Sequence, residues 1–307
     1  MGAPVVVLAG GTGGAKLARG MQGLVGDDLV VVVNTGDDVE VHGAAVSPDP
    51  DLVSFHLAGA IDERGWGLDG DTFCVMDALR ELGAPDTWFA LGDRDLAWCL
   101  ERARRLADGE TPTQAHAALT AALGVTAAVL PMSDEPVRTR VLARGAWHGL
   151  QEFLIRERAT GPVDGVAFDG ADAAAPTPQV LEAIAQARAI VIGPSNPVIS
   201  IGPILALPGM REALAAAPAP VVAVSPIVGG QVLKGPTAEF LAHLGLPASA
   251  AGVAAAYTGV IDGLLADEDA GVDGIPVRVA ETLMADAAGR RRVAQDALDL
   301  AGALQQA

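Results

Sequence analysis

The stretch Pro4–Asp38, PVVVLAGGTGGAKLARGMQGLVGDDLVVVVNTGDD, decides the fold. It contains two apolar runs of strand length, Pro4–Ala9 and Asp28–Asn34, and both are rich in valine. Between them, Ala15–Val25 has the spacing of a helix. A β–α–β order with strands that are apolar on both faces is typical of a parallel sheet covered by helices.

The rest of the chain extends this pattern. After the first unit, the sequence predicts helices followed by a strand and a hairpin, at Leu52–Ala60, Thr72–Leu82, Asp95–Ala107, Thr113–Leu123, Val125–Pro131, Val137–Arg144 and Trp147–Ile155. Strands and helices then alternate again, at Gly165–Phe168, Thr177–Arg188, Ala189–Gly193, Pro218–Val224, Ala238–Leu244, Ala248–Tyr257, Ile261–Ala266, Ile275–Val279 and Ala285–Leu304. We therefore expect one α/β domain over residues 1–307, a Rossmann-like, mostly parallel sheet with helices on both faces. A large helical and hairpin region is inserted at about 60–160.

Composition narrows the possible partners. The 307 residues include 38 Asp and Glu but only 20 Lys and Arg, which gives a net charge of −18. An acidic surface repels the nucleic-acid backbone, so we expect no nucleic-acid partner. There is no apolar run of about 20 residues and no basic signal-peptide head, which predicts a cytoplasmic protein with no membrane partner. Lys16 and Lys234 are the only lysines.

A glycine-rich loop, Gly10–Lys16, follows the first strand and precedes the first helix. Glycines at this place let backbone N–H groups approach an anion, and the positive end of the helix favours negative charge. The loop lacks the spacing of a P-loop, and Lys16 stands where a dinucleotide fingerprint has its third glycine. The sequence therefore predicts phosphate binding, with a plain tight turn as the alternative.

Four aspartates follow the second strand, in Asn34–Asp38 and Ser47–Asp51. Carboxylates beside a phosphate-binding loop suit Mg²⁺, which prefers oxygen ligands and is often held by one or two carboxylates plus substrate phosphates. The alternative is that these residues form turns and caps, with Asp49 capping the helix near Leu52.

Further polar turns are predicted at the ends of other elements. These are Leu91–Asp95, Pro131–Pro136, Gly193–Pro197 and Ser225–Gly230. Each is weak evidence alone, because glycine and proline mark turns everywhere. Together at one sheet edge they favour a ligand crevice. No Gly-x-Ser-x-Gly elbow and no metal-binding histidine spacing occurs, so metal-assisted phosphate chemistry is favoured over covalent catalysis.

Taken together, these segments resemble the 2-phospho-L-lactate transferase family of coenzyme F-420 biosynthesis. The resemblance runs from Val6 to about Met284. It rests on ordered motifs, at 9–16, 33–38, 47–51, 65–67, 91–95, 130–134, 149–153, 193–197, 200–204, 207–210 and 224–227. The family implies a magnesium-dependent transferase that acts on two small molecules. The donor is a guanosine diphosphate conjugate of phospholactate or phosphoenolpyruvate, and the acceptor is the ribityl hydroxyl of the deazaflavin FO. GMP is released, and the family suggests a homodimer.

The resemblance also implies site residues. Asp37 and Asp51 would hold Mg²⁺, with Asp38 and Asp49 as near alternatives. Asp37 and Asp51 are the expected catalytic residues, with Asp51 as first choice to accept the hydroxyl proton. Donor phosphates and guanosine would contact the residues of three loops, Gly11, Thr12, Gly13, Gly14, Lys16, Ser195, Asn196 and Ser225. The deazaflavin would lie near Asp51, Asp49 and Arg94.

Two other functions stay open at this point. One is a nucleotide-sugar-binding regulator of the related gluconeogenesis-factor group, which shares the Gly-Gly-Thr-Gly opening; it would bind no FO. The other is a nicotinamide oxidoreductase, which the missing third glycine and the acidic pair after the second strand disfavour. The sequence does not distinguish lactyl, enolpyruvyl and glyceryl donors.

Overall fold

A computed structural model describes residues 2–306 of the chain. Its strands, in chain order, are β1 (Val5–Ala9), β2 (Leu29–Val33), β3 (Val39–Val41), β4 (Ala44–Val46), β5 (Ala128–Pro131), β6 (Arg138–Ala143), β7 (Ala146–Gly149), β8 (Gly165–Asp169), β9 (Ala189–Ile192), β10 (Val221–Val224), β11 (Ile227–Val228), β12 (Gln231–Val232), β13 (Gly263–Ala266) and β14 (Val277–Val279).

The α-helices are α1 (Gly11–Val25), α2 (Pro48–Ala58), α3 (Cys74–Glu81), α4 (Asp93–Ala107), α5 (Pro112–Ala122), α6 (Pro178–Gln186), α7 (Gly202–Ala206), α8 (Met210–Ala215), α9 (Thr237–His243), α10 (Ala250–Ala256) and α11 (Ala287–Gln305). Short 3₁₀ turns lie at Gly26–Asp28 and Ala171–Ala173, and a π-helical turn lies at Glu152–Arg156. No helix within residues 2–306 has the length and apolar character that a membrane span requires.

The main sheet has seven strands in the order β14-β13-β10-β9-β1-β2-β5, and every neighbouring pair is parallel. Register explains its two buried faces. Leu8 of β1 pairs with Val32 and Ile192, and these side chains lie in the core under α6–α10. The alternate residue Val7 points to the other core, under α1, α2 and α11. The expected Rossmann-like sheet with helices on both faces is confirmed.

Local chemistry sets several helix starts. Thr111 caps α5 by accepting from the Gln114 N–H, and Pro112 begins the helix, where its missing N–H costs nothing. Thr177 and Pro178 begin α6 in the same way. Helix α2 was expected to begin at Leu52 but begins at Pro48, so a proline again occupies the first helical position. Asp49 is therefore inside α2, and the alternative that it caps this helix is wrong.

Smaller sheets stand beside the main one. β6 pairs with both β7 and β8, all antiparallel, and β3 pairs with β4. Gly165–Phe168 was expected to resume the α/β alternation, but it lies in the antiparallel sheet as β8. The expected strand Trp147–Ile155 is wrong beyond Gly149. Leu150 and Phe153 are three residues apart and both buried, so a helical turn packs them better than an extended strand.

The predicted insertion at about 60–160 is interrupted by the main sheet. β5 lies within this range, yet it pairs with β2 in the register Val31 to Val129. The division of the chain into domains stays a prediction. What matters for the site is that β5 brings its following turn, Met132–Glu135, to the same edge as the loops after β1 and β2.

Candidate active site at the carboxyl edge of the sheet

The sheet has a switch point between β1 and β9. From β1 the chain builds outward through β2 to β5, and from β9 it builds in the other direction to β14. Loops after strands on the two sides of such a point leave a crevice between them, which is where ligands bind in open α/β sheets. Here the loops are Gly10–Lys16 after β1 and Gly193–Asn196 after β9.

The two loops pack closely because their glycines lack side chains. A Cβ at Gly13 would lie 1.9 Å from the Pro194 carbonyl oxygen, and one at Gly193 would lie 2.9 Å from the Gly14 Cα. Gly11 has φ +63°, which also favours glycine. Close packing of the two loops therefore explains why several of these positions are glycine. An anion-binding role depends instead on the backbone N–H groups of the loop.

The start of α1 leaves donors available. The Gly10 N–H donates to Ser195 Oγ at 3.4 Å, and the Gly11 N–H donates to Asp49 Oδ1 at 2.6 Å. The next two N–H groups, of Thr12 and Gly13, belong to the first turn of α1, where the helix itself supplies no acceptor. These donors and the helix dipole make a place for a phosphate group.

A cleft of about 530 Å³ opens above these donors. It is lined by most of the expected donor-binding residues, namely Gly11, Thr12, Gly13, Lys16, Ser195, Asn196 and Ser225. Gly14 is buried behind it. An apolar rim completes the cleft, with exposed Leu233 and Leu283 among its members. Phosphate donors beside an apolar rim suit a nucleotide.

Positive charge gathers at this cleft in spite of the acidic composition. Lys16 and Lys234 both line it, and within residues 2–306 neither lies within 4.0 Å of a carboxylate oxygen. Burial lowers the pKa of the Lys16 ammonium, and the charges of Lys234 and Arg290 lower it further. Burial and the same cations lower the pKa of His56 to about 4, so this imidazole is neutral near pH 7. Neither Lys16 nor Lys234 therefore has a carboxylate partner in the described part of the chain.

Asn196 and Ser225 are also structural. Asn196 Oδ1 accepts from the Val198 N–H at 2.9 Å and the Ile199 N–H at 3.2 Å, which fixes the turn after β9. Ser225 Oγ accepts from the Ile227 N–H at 3.2 Å. Asn196 Nδ2 also donates to Thr237 Oγ1 at 3.4 Å, and both Asn196 and Ser225 line the cleft.

Asp49 joins the glycine loop to the end of β2. Besides the Gly11 N–H, it accepts from Asn34 Nδ2 at 2.9 Å. It is only 6% exposed, and a Cβ at Gly10 would lie 2.8 Å from its Oδ2. Burial raises the pKa of Asp49, which these two hydrogen bonds partly offset.

Asp37 and Asp38 extend the negative charge. Asp37 Oδ2 accepts from Gln151 Nε2 at 3.1 Å, while its buried Oδ1 has no partner within residues 2–306. Burial, then the charges of Asp49 and Asp38, raise the pKa of Asp37 well above its usual range. Asp38 accepts from Ser47 Oγ at 2.7 Å, and burial raises its pKa to about 7. We call Asp37, Asp38 and Asp49 the acidic cluster.

Asp51 has different partners from the residues of this cluster. It lies two residues after Asp49 on α2, and so on a different side of the helix. Both of its oxygens are bound by the buried Arg102 guanidinium, and Trp98 Nε1 donates to it at 2.7 Å. Asp51 therefore has a cation already, whereas Asp37 and Asp49 have none in direct contact.

Arg94 is not brought to Asp51 by direct contact. It is exposed in the first turn of α4, and its guanidinium donates to the Asp69 carbonyl at 2.9 Å. The two residues share one helix end, however, since Asp95, Trp98 and Arg102 of α4 surround Asp51.

Two groups of residues could hold a metal ion. Oxygen and sulfur atoms of Asp51, Asp95 and Cys99 lie within 4.8 Å of one another, but Arg102 already neutralises Asp51 and burial raises the pKa of the Cys99 thiol. Asp37 and Asp49 offer an unpartnered buried oxygen and two repelling charges, which a divalent cation would relieve. Within the described residues only the first group has three donor atoms this close together, so the preference for Asp37 and Asp49 rests on their charge and on the unpartnered oxygen.

Sequence reasoning missed the residues that hold the aspartates. Arg102 lies 51 positions from Asp51, and Gln151 lies 114 positions from Asp37. The sequence did carry a local signal for Arg102. Trp98 and Arg102 are four apart, and a helix places such a pair on one face. The partner of that face could not be read from the sequence.

Fold and site together define a Rossmann-like protein with a glycine-loop cleft at the carboxyl edge of its main sheet. A family model described as 2-phospho-L-lactate transferase CofD matches residues 5–298. A phosphoenolpyruvate transferase of Kitasatospora aureofaciens is 43% identical over 97% of this chain and 97% of its own length. Another, of Streptomyces coelicolor, is 40% identical over 99% of both chains. This chain belongs to the 2-phospho-L-lactate transferase CofD family and is a transferase.

A solved structure adds support for the fold. A member of the UPF0052 family from Bacillus halodurans superposes with a TM-score of 0.65, covering 97% of this chain and 99% of that one, at 17% identity. Likeness at this identity shows the fold alone. The resemblance drawn from the motifs is confirmed by the family match, which favours the transferase over the regulator and the oxidoreductase.

Proposed function

We propose that this chain transfers a phosphoenolpyruvyl group from a guanosine-diphosphate-linked donor to the terminal ribityl hydroxyl of FO, in coenzyme F-420 biosynthesis. The observation that carries the proposal is the contact between Asp49 and the Gly11 N–H, which joins an anion-binding cleft to the acidic cluster. A diphosphate at the loop would therefore lie beside carboxylates that suit a divalent cation. The names of the relatives favour the enolpyruvyl donor over the lactyl and glyceryl donors.

In this proposal the donor lies along the cleft. Its diphosphate meets the N–H groups of Thr12 and Gly13 and the Lys16 ammonium, which is unpaired in the described chain. Its guanosine extends toward Ser225 and the apolar rim at Leu233. The charge-assisted hydrogen bonds fix the diphosphate, and the rim gives area for a base.

We propose Mg²⁺ as the metal, held by Asp37 and Asp49. Their burial and repulsion fit a divalent cation, as does the unpartnered Oδ1 of Asp37. Asp38 stays a near alternative. Asp51, the other first choice from sequence, fits less well because Arg102 binds both of its oxygens. When bound, Mg²⁺ would neutralise charge on the diphosphate and stabilise the leaving group.

The chain's own residues then position the reaction. The ribityl oxygen forms a new bond to the donor phosphorus as the bond from that phosphorus to the bridging oxygen breaks. GMP leaves with the bridging oxygen and its electron pair. The hydroxyl proton passes to a carboxylate, for which the family resemblance implies Asp51, and Asp38 is the cluster member that lines two cavities. Phosphoryl transfer depends mainly on such positioning and electrostatics.

The acceptor would cross the start of α4, near Asp51, Asp49 and Arg94, as the family resemblance implies. The placement of α4 supports this position, since it carries Arg94 in its exposed first turn and Trp98 against Asp51. We further propose a homodimer in the cytoplasm. Sedimentation of the purified chain tests the first, and fractionation of cells tests the second.

The test is a transfer assay. The chain is incubated with FO, Mg²⁺ and each guanylylated donor in turn, and products are weighed by mass spectrometry. The proposal predicts an FO product with the enolpyruvyl mass and stoichiometric GMP. Absence of any mass-shifted FO product with all three donors would contradict it, and failure to bind FO would favour a regulator.

A further inference from the structure

Arg138 lines one cavity together with Asp37 and Asp38 of the acidic cluster. It is the first residue of β6 and is half-buried. Its guanidinium donates to the Val137 carbonyl at 2.8 Å, and within residues 2–306 no carboxylate oxygen lies within 4.0 Å of it. Its charge nevertheless lowers the pKa values of Asp37 and Asp38 against the larger effect of burial, so it stands close to the acidic cluster.

Two cavities meet at this side chain. One of about 200 Å³ lies between β2, β5 and α5, and one of about 600 Å³ lies between β3, β6 and the turn after β7. Arg138 and Asp38 line both. The hydroxyls of Thr35, in the smaller cavity, and Thr139, in the larger, are buried without a partner in the described chain. A guanidinium beside unused hydroxyl donors suits a carboxylate.

The position of Arg138 relative to the glycine loop indicates which carboxylate of a ligand it would bind. Hydrogen bonds join the glycine loop to Thr139, the residue after Arg138. Asp49 accepts from the Gly11 N–H and from Asn34 Nδ2. Asn34 Oδ1 then accepts from the Gly36 N–H at 2.7 Å, and the Gly36 carbonyl accepts from the Thr139 N–H at 2.6 Å, in that order. This order leads away from the cleft that would hold guanosine. A donor whose diphosphate lies at the loop thus directs its acid group, on the far side of the reacting phosphorus, toward Arg138.

We propose that Arg138, assisted by the Thr139 hydroxyl, binds the carboxylate of the three-carbon acid group of the donor, and so selects donors that carry one. This inference rests on the proposed function, because it needs the donor diphosphate at the glycine loop. The competing role for Arg138 is to balance the charge of Asp37 and Asp38. That role predicts a change in magnesium requirement and no change in donor selection.

The test compares two donors, the enolpyruvyl donor and an analogue whose carboxylate is replaced by hydrogen. In Arg138→Gln we expect KM for the enolpyruvyl donor to rise about 10- to 100-fold, with a smaller change in kcat. Activity with the analogue should stay near wild type, so the preference for the carboxylate collapses. Arg138→Lys should recover part of it, because the charge remains but the paired donors do not. Arg211→Gln, at an exposed arginine of α8, is the matched control.

The outcomes separate the two claims. Equal losses with both donors, or an unchanged preference in Arg138→Gln, overturn the role of Arg138 while transfer by the wild-type chain upholds the proposed function. Donor binding is measured alongside by calorimetry in Mg²⁺, where weaker binding to Arg138→Gln is expected. If the wild-type chain binds neither donor, the inference and the proposed function both fall.

Discussion

The glycine-loop cleft and the acidic cluster lie at the same sheet edge but are built in opposite ways. The cleft is open, and its two lysines have no carboxylate within 4.0 Å in the described chain. The cluster is closed, with Asp37 and Asp49 at 7% and 6% exposure and each in at least one hydrogen bond. Each is electrostatically incomplete alone, since one lacks an anion and the other lacks a cation.

The difference shows what each region needs from solution. Unpaired lysines cost little while they are hydrated, so the cleft can wait for a phosphorylated ligand. Buried carboxylates without a cation are unfavourable, which the raised pKa values of Asp37 and Asp38 express. A structure that keeps such repulsion at a ligand edge is typical of a functional site. The predictions below, from the largest effect on transfer to the smallest, probe this contrast.

Removing the divalent cation should have the largest effect. With EDTA in excess, we expect transfer to fall below detection, because the donor diphosphate would then meet three buried carboxylates without a neutralising charge. Added Mg²⁺ should restore it. Full activity in EDTA would show that the acidic cluster does not work through a cation.

Asp37→Asn should separate activity from stability. The amide oxygen can still accept from Gln151, and loss of the charge relieves repulsion with Asp49. We expect kcat/KM to fall about 100- to 1,000-fold, while the free energy of unfolding in urea stays the same or rises. The matched control is Asp172→Asn, at an exposed aspartate far along the chain. A variant that loses stability together with activity would mean that Asp37 is structural.

Lys16→Met tests the other region. The side chain keeps its length but loses its charge, so the fold should be retained. We expect KM for the donor to rise about 10- to 100-fold, with a smaller effect on kcat, because Lys16 binds ground and transition states alike. Steady-state kinetics with varied donor measure this. An unchanged KM would place the diphosphate elsewhere.

Asp51→Asn is the counterpart of Asp37→Asn. It leaves the Arg102 guanidinium buried without its carboxylate, so we expect the free energy of unfolding to fall by about 3 kcal/mol. At low temperature, part of the Asp51→Asn protein should remain folded. We expect its transfer activity to fall less than in EDTA, in Asp37→Asn or in Lys16→Met. If instead the folded variant is inactive, Asp51 is the proton acceptor or metal ligand that sequence reasoning chose, and the preference for Asp37 and Asp49 is wrong.

The sequence predicted the main sheet well because its evidence is local. Runs such as Leu29–Val33 are apolar on both faces and end in glycine or polar turns. The order of strand, turn and helix can therefore be read from the sequence. The β3–β4 hairpin was missed, although His42 and Gly43 both have positive φ, as a tight hairpin turn requires. Its strands have three residues each, too few to show a period.

The site was predictable in its loops but not in its pairings. The glycine loop and the four aspartates stand next to strand ends, where the fold itself brings them together. Which carboxylate has a cation depends on Arg102, and which has an amide donor depends on Gln151. Such contacts span 51 and 114 positions and carry no local pattern. The proposed preference for Asp49 over Asp51 as a metal ligand therefore rests on contacts that the sequence does not reveal.

The central claim is that the cleft and the acidic cluster bind one ligand together, and the linkage between Mg²⁺ and donor binding tests it most directly. Calorimetry measures the dissociation constant of the guanylylated donor, without FO, in Mg²⁺ and in EDTA, for wild type and Asp37→Asn. The account predicts that Mg²⁺ tightens donor binding at least about tenfold in wild type and has little effect in Asp37→Asn. Equal affinities with and without Mg²⁺ in the wild-type chain would contradict it.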